Sequence, residues 1–539
     1  MRTIALARTA AVAVVAQMLI HGSAYSQQAT KSEWVGGSRL FGQPAALSLK
    51  LRSDSAGIAN APQWRVTNRA LSYVRETGDS LIFTFPSTTG ALYSARGARH
   101  GNRVYGKISR GADTAEFHLL NLAAAAPASA DSLIGFYDVV ETASGQSTRG
   151  LILPSAYGHL RWESLSRNEN SVVYPMDDST YVFAVALAAD TLFGGPKLVV
   201  RRNESSAALA IRAGDKDAAH LTRSASYRIS RVSFRNRGVD LEGTLILPFA
   251  DKPAPVVVFV PGSGDATSRD DIWYRQFDDF FLQKGVGIFV YDKRGTGKSG
   301  GDWRQSSFED LALDVVAGVK KIGEDKNVDP AQIAVWGFSQ GGWIAPLAAT
   351  MTSDISLVMV ASGGAVTPWE SEIGEQVARM RVAKLSAKAI DSARAFMQLQ
   401  INAVRGKADR ARFLAAIPAA KEMPWYRYTW GGVPENSWMW NWWTTTSRYD
   451  PDYVLSHVRV PVLAIFGLED ELTIKEQVPG MPTRIQKALA KGGNRDFTGA
   501  LIPSVGHDLY VKAQPEMYPH PEFKRAIQDW LLARVKPVR

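Results

Sequence analysis

Cysteine is absent from this chain of 539 residues. Its absence excludes disulfides, thiolate metal sites, a cysteine nucleophile and a lipid-modified N-terminal cysteine. Long basic runs are also missing: the formal net charge is +10, but the lysines and arginines are scattered, which argues against a nucleic-acid site. Beyond Ser26 no segment approaches the ~20 apolar residues of a membrane span. We therefore expect a globular protein with no nucleic-acid partner and no membrane span in the mature chain.

The N-terminal stretch Met1–Ser26 predicts a secretory signal peptide. Arg2 and Arg8 supply positive charge, an apolar stretch follows over residues 10–20, and small residues stand at the positions that a signal peptidase reads. An uncleaved N-terminal anchor is the alternative. We expect the mature protein to be exported, and thus periplasmic or secreted.

Residues 27–225 have the pattern of a β-rich region. Short segments of alternating apolar and polar residues, such as residues 47–51 and 104–108, are separated by Gly, Asn, Asp and Ser clusters. This predicts antiparallel strands, in two modules that meet near residues 125–127. No cluster of histidines and carboxylates with metal-ligand spacing occurs in the region, so no metal site is expected there; its histidines stand singly and are His100, His118, His159 and His220.

After Ser226 the pattern changes to continuous apolar runs that alternate with helical periodicity. Runs at residues 256–260 and 286–291 have the character of strands buried on both faces. After the second of these runs, apolar residues from Phe308 to Ile322 recur at helical spacing. The alternation predicts a mostly parallel sheet covered by helices on both sides. We assign this sheet to residues 226–365 and 451–539.

The segment 366–450 interrupts the alternation and predicts an inserted, partly helical cap. Six of the fifteen tryptophans lie in its second half, namely Trp425, Trp430, Trp438, Trp440, Trp442 and Trp443. One hypothesis is that they line an apolar pocket above an active site. The other is that they pack the small core of the insertion itself. The two hypotheses are compatible.

Ser339 carries the first catalytic prediction. Apolar β-formers from Ile333 lead into Gly337-Phe338-Ser339-Gln340-Gly341, and a helix-compatible run follows to Ala349. Strand, glycine-flanked serine and helix form a nucleophile elbow, in which a Cβ at either flanking glycine would strike the neighbouring backbone. The alternative is an ordinary strand-to-helix turn. We predict that Ser339 is a nucleophile at a helix N-terminus, where free N–H groups favour negative charge.

A serine nucleophile needs a base and an acid that orients the base, and this sheet would place them in the order Ser, Asp/Glu, His. The buried run Val462–Gly467 is followed by Leu468-Glu469-Asp470-Glu471, and we predict Asp470 as the acid. Glu469 and Glu471 are the local alternatives. The loop after residues 500–503 holds His507, which we predict as the base. His457 precedes the acid strand, and His520 stands between two prolines, so neither fits the role.

The oxyanion hole should consist of two backbone N–H groups. Gln340, the residue after the nucleophile, supplies one. The loop Pro261-Gly262-Ser263-Gly264 follows the 256–260 run, and we predict the N–H of Ser263 as the second. Arg269, farther along this loop, is predicted to brace it. The segment 291–299 lacks the Walker spacing of a phosphate loop, which indicates a structural turn beside the site.

The chain resembles the secreted bacterial α/β-hydrolases, in the branch that includes dipeptidyl-peptidase-like esterases. The matching segments are PGSG (261–264), YDKRGTGKSG (291–300), GFSQGGWIAPLAA (337–349), YDP (449–451), PVLAIFGLEDEL (461–472) and GHD (506–508). Where many members begin the oxyanion loop with His-Gly, this chain has Pro261-Gly262. The resemblance implies an α/β-hydrolase fold, a Ser339, Asp470 and His507 triad, no metal and no cofactor.

The expected activity is hydrolysis of a small-molecule carboxylic ester through an acyl-enzyme. A serine peptidase acting on short peptides is the nearest alternative, because it shares the triad. It would need a carboxylate to hold the substrate α-amine, for which Glu370, Glu372 and Glu375 of the cap are candidates. A binding protein with a vestigial site is the third possibility.

Overall fold

The computed structural model describes residues 31–538 except 41–44, 54, 62–63, 65, 87–90, 123–129, 155–158, 165–168, 176–178, 184–196, 204–205, 214, 225, 265–267, 270–273, 275–276, 431–436, 474 and 514–515. The predicted signal peptide lies outside these residues. The chain divides into two compact units, residues 1–229 and 230–539. Among the described residues no helix combines the length and the apolar character that crossing a membrane requires.

The first unit contains two antiparallel β structures. In the described residues the first is a nine-stranded sheet in the order β4-β3-β2-β1-β9-β8-β7-β6-β5. Its core holds large buried side chains, including Trp34, Phe83, Phe85 and Phe117. The strands are β1 (Ser32–Ser38), β2 (Ala45–Ser53), β3 (Ala56–Ala61), β4 (Val66–Ala70), β5 (Tyr73–Glu76), β6 (Ser80–Pro86), β7 (Leu92–His100), β8 (Arg103–Arg110) and β9 (Asp113–Leu122).

The second β structure is a barrel that the described strands close in the order β10 to β17, after a short 3-10 helix at Ala130–Leu133. Tyr137, Trp162 and Phe183 belong to its core. The prediction of a β-rich N-terminal region is confirmed; the expected junction near residues 125–127 lies outside the described residues. The strands are β10 (Gly135–Glu141), β11 (Ser147–Pro154), β12 (Leu160–Ser164), β13 (Glu169–Pro175), β14 (Thr180–Phe183), β15 (Lys197–Asn203), β16 (Ser206–Ala213) and β17 (Lys216–Ser224).

The second unit is built on a sheet whose described strands run in the order β18-β19-β21-β20-β22-β23-β24-β25. In this sheet order, every neighbouring pair from β21 through β20, β22, β23 and β24 to β25 is parallel. β19 pairs with β21 in the antiparallel direction. The strands are β18 (Tyr227–Asn236), β19 (Val239–Pro248), β20 (Ala254–Val260), β21 (Gly287–Tyr291), β22 (Val328–Phe338), β23 (Leu357–Ala361), β24 (Val462–Gly467) and β25 (Phe497–Ile502), with a separate hairpin of β26 (Tyr510–Ala513) and β27 (Glu516–Pro519).

Successive side chains of a strand point to opposite sides of the sheet, so buried strands present apolar side chains on both faces. Helices pack on both of these faces. On β20, Val256, Val258 and Val260 join a core that includes residues of the helices Phe308–Gly323, Gly341–Ala349, Pro451–His457 and Met481–Lys491. Phe259, on the other face, contacts Phe281 of α1 and Trp336. The helices outside the cap are α1 (Asp278–Leu282), α2 (Phe308–Gly323), α3 (Gly341–Ala349), α8 (Pro451–His457), α9 (Met481–Lys491) and α10 (Pro521–Leu532).

The cap segment contains the helices α4 (Pro368–Val382), α5 (Ala387–Arg405), α6 (Lys407–Lys421) and α7 (Trp438–Thr446). Trp425 and Trp440 are buried in a core formed by the cap itself, and Trp430 packs against that core. Trp442 instead packs against the core of the sheet, 6.4 Å from Phe308 between ring centroids. The contacts of Trp425, Trp430 and Trp440 favour the hypothesis that the tryptophans pack the core of the insertion itself, whereas that of Trp442 does not. The side chain of Trp438 is outside the described residues.

Candidate active site

Ser339 lies in a sharp turn between β22 and α3. Its φ is +53°, in the left-handed region that costs a non-glycine residue about 1–3 kcal/mol. A Cβ added at Gly337 would collide with the backbone of Gly341, and one at Gly341 would collide with the carbonyl of Val260. The two glycines are therefore required by the closeness of the backbone on either side of the turn. The turn leaves Ser339 partly exposed at the end of the strand.

His507 and Asp470 are brought together from the loops after β25 and β24. Those strands are parallel neighbours with Gly467 opposite Ile502, so the loops leave the sheet at the same edge. Nδ1 of His507 lies 2.9 Å from Oδ2 of Asp470, which is 4% exposed. The other carboxylate oxygen, Oδ1, accepts a hydrogen bond from the N–H of Leu472 at 2.9 Å. Both oxygens of the buried carboxylate are thereby held in place.

The remaining ring nitrogen of His507, Nε2, is buried and has no hydrogen-bond partner among the described residues. The ring lies 5.3 Å from that of Phe338, the residue before Ser339, between centroids. Burial by itself would lower the pKa of His507, because it disfavours the imidazolium. The hydrogen bond and charge of Asp470, with the charges of Glu471 and Asp508, outweigh burial, so the pKa is raised from its ordinary value. A ring held through Nδ1 leaves Nε2 to accept a proton.

The two other acids of the loop are placed differently from Asp470. Glu471 accepts a hydrogen bond from the backbone N–H of His507 at 3.1 Å, and a Cβ at Gly506 would collide with its carboxylate. The backbone N–H of Glu469 donates to Val505 at 2.9 Å. Glu471 therefore holds the loop of His507, while Asp470 holds the ring. The residue order gave no sign of this backbone contact, and Glu471 was expected only as a rival acid.

The predicted oxyanion loop runs beside Ser339. β20 and β22 are parallel neighbours with Val260 opposite Gly337, so the loop and the serine follow the same edge. A Cβ at Gly262 would lie 3.7 Å from Cβ of Ser339. Tyr274 donates to the carbonyl of Val260 at 2.6 Å. In the described residues no hydrogen bond is donated by the backbone N–H of Ser263 or Gln340.

Lys293 contacts this loop from the turn after β21. Its Nζ donates to the carbonyl of Gly262 at 2.8 Å, the side chain is only 3% exposed, and Nζ lies 5.1 Å from the centroid of Trp303. The sequence analysis assigned no role to Lys293. Its position two residues after β21 was a signal, because loops at the carboxyl ends of parallel strands share the edge where ligands bind.

Buried ion pairs hold the turn that follows β21. Arg269 pairs with Asp292 at 2.7 Å and with Glu242 at 2.9 Å. Arg294 forms two hydrogen bonds with Asp314, at 2.7 and 2.6 Å. Asp292 also accepts the backbone N–H of Lys298 at 2.9 Å. These contacts match the structural roles predicted for Arg269 and for residues 291–299.

The acidic candidates of the cap lie on α4 and differ in environment. Glu370 closes the capping box of Thr367, and Glu375 forms an ion pair with Arg379. Glu372 has no ion pair within 4.0 Å among the described residues. Burial, with a smaller contribution from Glu375, raises the pKa of Glu372 to about 8 against the opposing charge of Arg379. Within the described part of the chain, no group of three acidic or histidine side chains is arranged to hold a metal ion.

Known proteins resemble the second unit in sequence and in fold. Residues 251–513 match the family model described as serine aminopeptidase, S33. An esterase of Pyrococcus furiosus is similar at 19% identity over 57% of this chain and 92% of its own, with a TM-score of 0.38. Est1E from Butyrivibrio proteoclasticus is similar at 15% identity over 56% of this chain and 98% of its own, with a TM-score of 0.35.

The family match supports the prediction of an α/β-hydrolase for the second unit and a serine hydrolase of that superfamily. The matched residues contain Ser339, Asp470, His507 and the oxyanion loop, and they include the cap. The β-rich first unit lies outside the match. The description of the family names a peptidase, so the match does not distinguish ester from peptide substrates.

Proposed function

We propose that the protein is a serine hydrolase that cleaves carboxylic esters through an acyl-enzyme intermediate. The observation that carries the proposal is the 2.9 Å contact between Asp470 and Nδ1 of His507, with Nε2 lacking a partner among the described residues and lying beside the Ser339 turn. A buried carboxylate on one ring nitrogen makes the other a general base. A strained serine between a strand and a helix is the group that such a base activates.

In the proposed reaction, His507 Nε2 takes the proton of the Ser339 hydroxyl as its oxygen attacks the ester carbonyl. The carbonyl oxygen gains the negative charge, and the N–H groups of Gln340 and Ser263 stabilise it. The imidazolium of His507 then gives its proton to the departing alcohol, which leaves the acyl group on Ser339. Water, activated by the same histidine, releases the acid and restores the enzyme.

Fluorophosphonate labelling tests the nucleophile and an ester panel tests the reaction. We expect the probe to modify Ser339, with the site read by mass spectrometry, and Ser339→Ala to abolish both labelling and hydrolysis of p-nitrophenyl esters of graded chain length. A folded wild-type chain that neither reacts with the probe nor hydrolyses any ester would overturn the proposal. The chain would then be the binding protein with a vestigial site.

Cleavage of short peptides with a free α-amine is a second candidate function, and Glu372 is the observation that favours it. Glu372 is half-buried and its pKa is raised, and a ligand ammonium beside it would favour the charged form. The amine of a peptide would supply such a cation. The family description, which names an aminopeptidase, points in the same direction.

Aminoacyl nitroanilides with free and acetylated amines test this second candidate. A peptidase should prefer the free amine, and Glu372→Gln should remove that preference while ester hydrolysis persists. Glu370→Gln is the matched control, because glutamine also serves in a capping box. Equal rates on free and acetylated substrates would leave the ester hydrolase as the function.

We also propose that the enzyme works outside the cytoplasm, on the basis of the predicted signal peptide. N-terminal sequencing of the exported protein should show cleavage after Ser26 or within a few residues of it. An intact Met1 on the mature protein would contradict the proposal.

A further inference from the structure

We propose that Lys293 is a positioning residue that orients and polarises the backbone N–H of Ser263 in the oxyanion hole. The inference rests on the proposed function and extends it to a side chain outside the triad. Its motive is the 2.8 Å hydrogen bond from Nζ of Lys293 to the carbonyl of Gly262. That carbonyl and the N–H of Ser263 belong to the same peptide group.

The two ends of a peptide group are rigidly linked. Peptide groups are planar and almost always trans, so the C=O and the N–H point to opposite sides of the chain. An ammonium that holds the carbonyl of Gly262 therefore also sets the direction of the Ser263 N–H. A charged donor on the carbonyl additionally polarises the group, which strengthens the hydrogen bond that its N–H can donate.

The surroundings of Lys293 make the contact specific. The side chain is 3% exposed, and an ammonium is costly to bury unless hydrogen bonds and charges compensate it. The carbonyl of Gly262 provides such a bond, and the ring of Trp303, 5.1 Å from Nζ, favours a cation. The loop itself passes close to the nucleophile, since a Cβ at Gly262 would be 3.7 Å from that of Ser339. A small rotation of this peptide group would move the donor away from the oxyanion.

Lys293→Met keeps most of the side-chain volume and removes the donor. We expect kcat for ester hydrolysis to fall about 10- to 100-fold, less than the ~10²–10³ for losing an oxyanion donor outright. KM should change by less than about threefold, because the effect is confined to the charge that develops in the transition state. The inhibition constant of a trifluoromethyl ketone analogue should rise by a factor similar to the fall in kcat. Lys298→Met, an exposed lysine of the same turn, is the matched control and should leave kcat unchanged.

The absence of cysteine permits a rescue that separates positioning from folding. Lys293→Cys would contain the only thiol of the chain. Alkylation in mild denaturant with 2-bromoethylamine restores an ammonium at the length of lysine, whereas iodoacetamide adds a neutral group. Aminoethylation should recover most of the lost kcat and analogue affinity, while carbamidomethylation should not, with the modification verified by mass spectrometry and the fold by circular dichroism.

The outcomes separate this inference from the proposed function. If wild type reacts with the fluorophosphonate probe but folded Lys293→Met keeps wild-type kcat and analogue affinity, the role of Lys293 is wrong and the hydrolase stands. If the variant loses kcat only in proportion to its loss of thermal stability, and both alkylated forms behave alike, Lys293 only stabilises the fold. The inference is then also overturned. If wild type shows neither labelling nor turnover, the proposed function itself fails.

Discussion

The carboxylate of Asp470 and the ring of His507 meet at 2.9 Å, although 37 positions separate them in the chain. The contact raises the pKa of His507 despite its burial. It also leaves Nε2 as the ring nitrogen that can accept a proton, because Nδ1 faces the carboxylate and Nε2 has no partner in the described part of the chain.

Ser339→Ala should abolish hydrolysis without unfolding the protein. The substitution removes the nucleophile, and only the residual rate from binding and the oxyanion hole, about 10³–10⁴-fold over water, should remain. Steady-state turnover of a p-nitrophenyl ester measures the effect. Ser356→Ala is a suitable control, because that hydroxyl donates to the carbonyl of Ile333 at 3.0 Å and belongs to no part of the proposed site. Substantial turnover by Ser339→Ala would contradict the assignment of the nucleophile.

Asp470→Asn should lower kcat by about 10⁴-fold while the protein stays folded. An asparagine amide can donate to Nδ1 and so stabilise the tautomer that cannot act as base through Nε2. Glu471→Gln should cost much less, since Glu471 contacts the backbone of His507 and not its ring. Parallel kinetics of the two variants, with Glu469→Gln beside them, provide the check. A larger loss in either glutamine variant would show that the acid is misassigned.

The rate should rise with pH as His507 loses its proton, because only the neutral ring accepts the proton of Ser339. The pKa of His507 is raised, so the midpoint of kcat/KM should lie above the unperturbed value of about 6.5. Removing the charge of Asp470 should move the midpoint to lower pH, since that charge favours the imidazolium. A profile that is flat from about pH 5 to 8, with chemistry limiting, is incompatible with a histidine base.

Asp314→Asn should destabilise the second unit by about 3–5 kcal/mol. Asp314 is 1% exposed and pairs with Arg294, so the substitution leaves a buried guanidinium without its counter-charge. Denaturant unfolding gives the change in free energy. Glu324→Gln breaks the exposed ion pair with Lys321 and should cost less than about 1 kcal/mol. Equal costs for the two variants would contradict the role of the buried pair.

Trp440→Ala should reduce stability without changing substrate preference, because Trp440 is buried in the core of the cap. Loss of a buried aromatic ring costs about 3–5 kcal/mol. Trp442 is only partly buried and contacts the sheet core, so Trp442→Ala remains the sharper test of a tryptophan-lined pocket. The measured quantity is the ratio of kcat/KM for a large aromatic ester to that for acetate. An unchanged ratio in both variants would exclude the pocket hypothesis for these two residues.

The local pattern around Ser339 determined the turn, because its causes lie within a few residues. Gly337 and Gly341 leave room for the backbone, and apolar strands separated by helical segments are readable from the order of side chains alone. The same holds for β20 to β24, whose continuous apolar runs were identified from sequence. For such elements the deciding interactions are local or follow from periodicity, so no tertiary information was needed.

Tertiary structure decided which polar groups meet. The sequence favours Asp470 over its neighbours Glu469 and Glu471 but leaves both as alternatives, and it is the loop between β24 and α9 that directs Asp470 to the ring and Glu471 to the backbone of His507. Lys293 reaches Gly262 because two loops leave neighbouring parallel strands at one edge. The tryptophans of the cap likewise separate into different cores through long-range packing. Such contacts depend on where distant segments lie in space, which side-chain order along one segment does not specify.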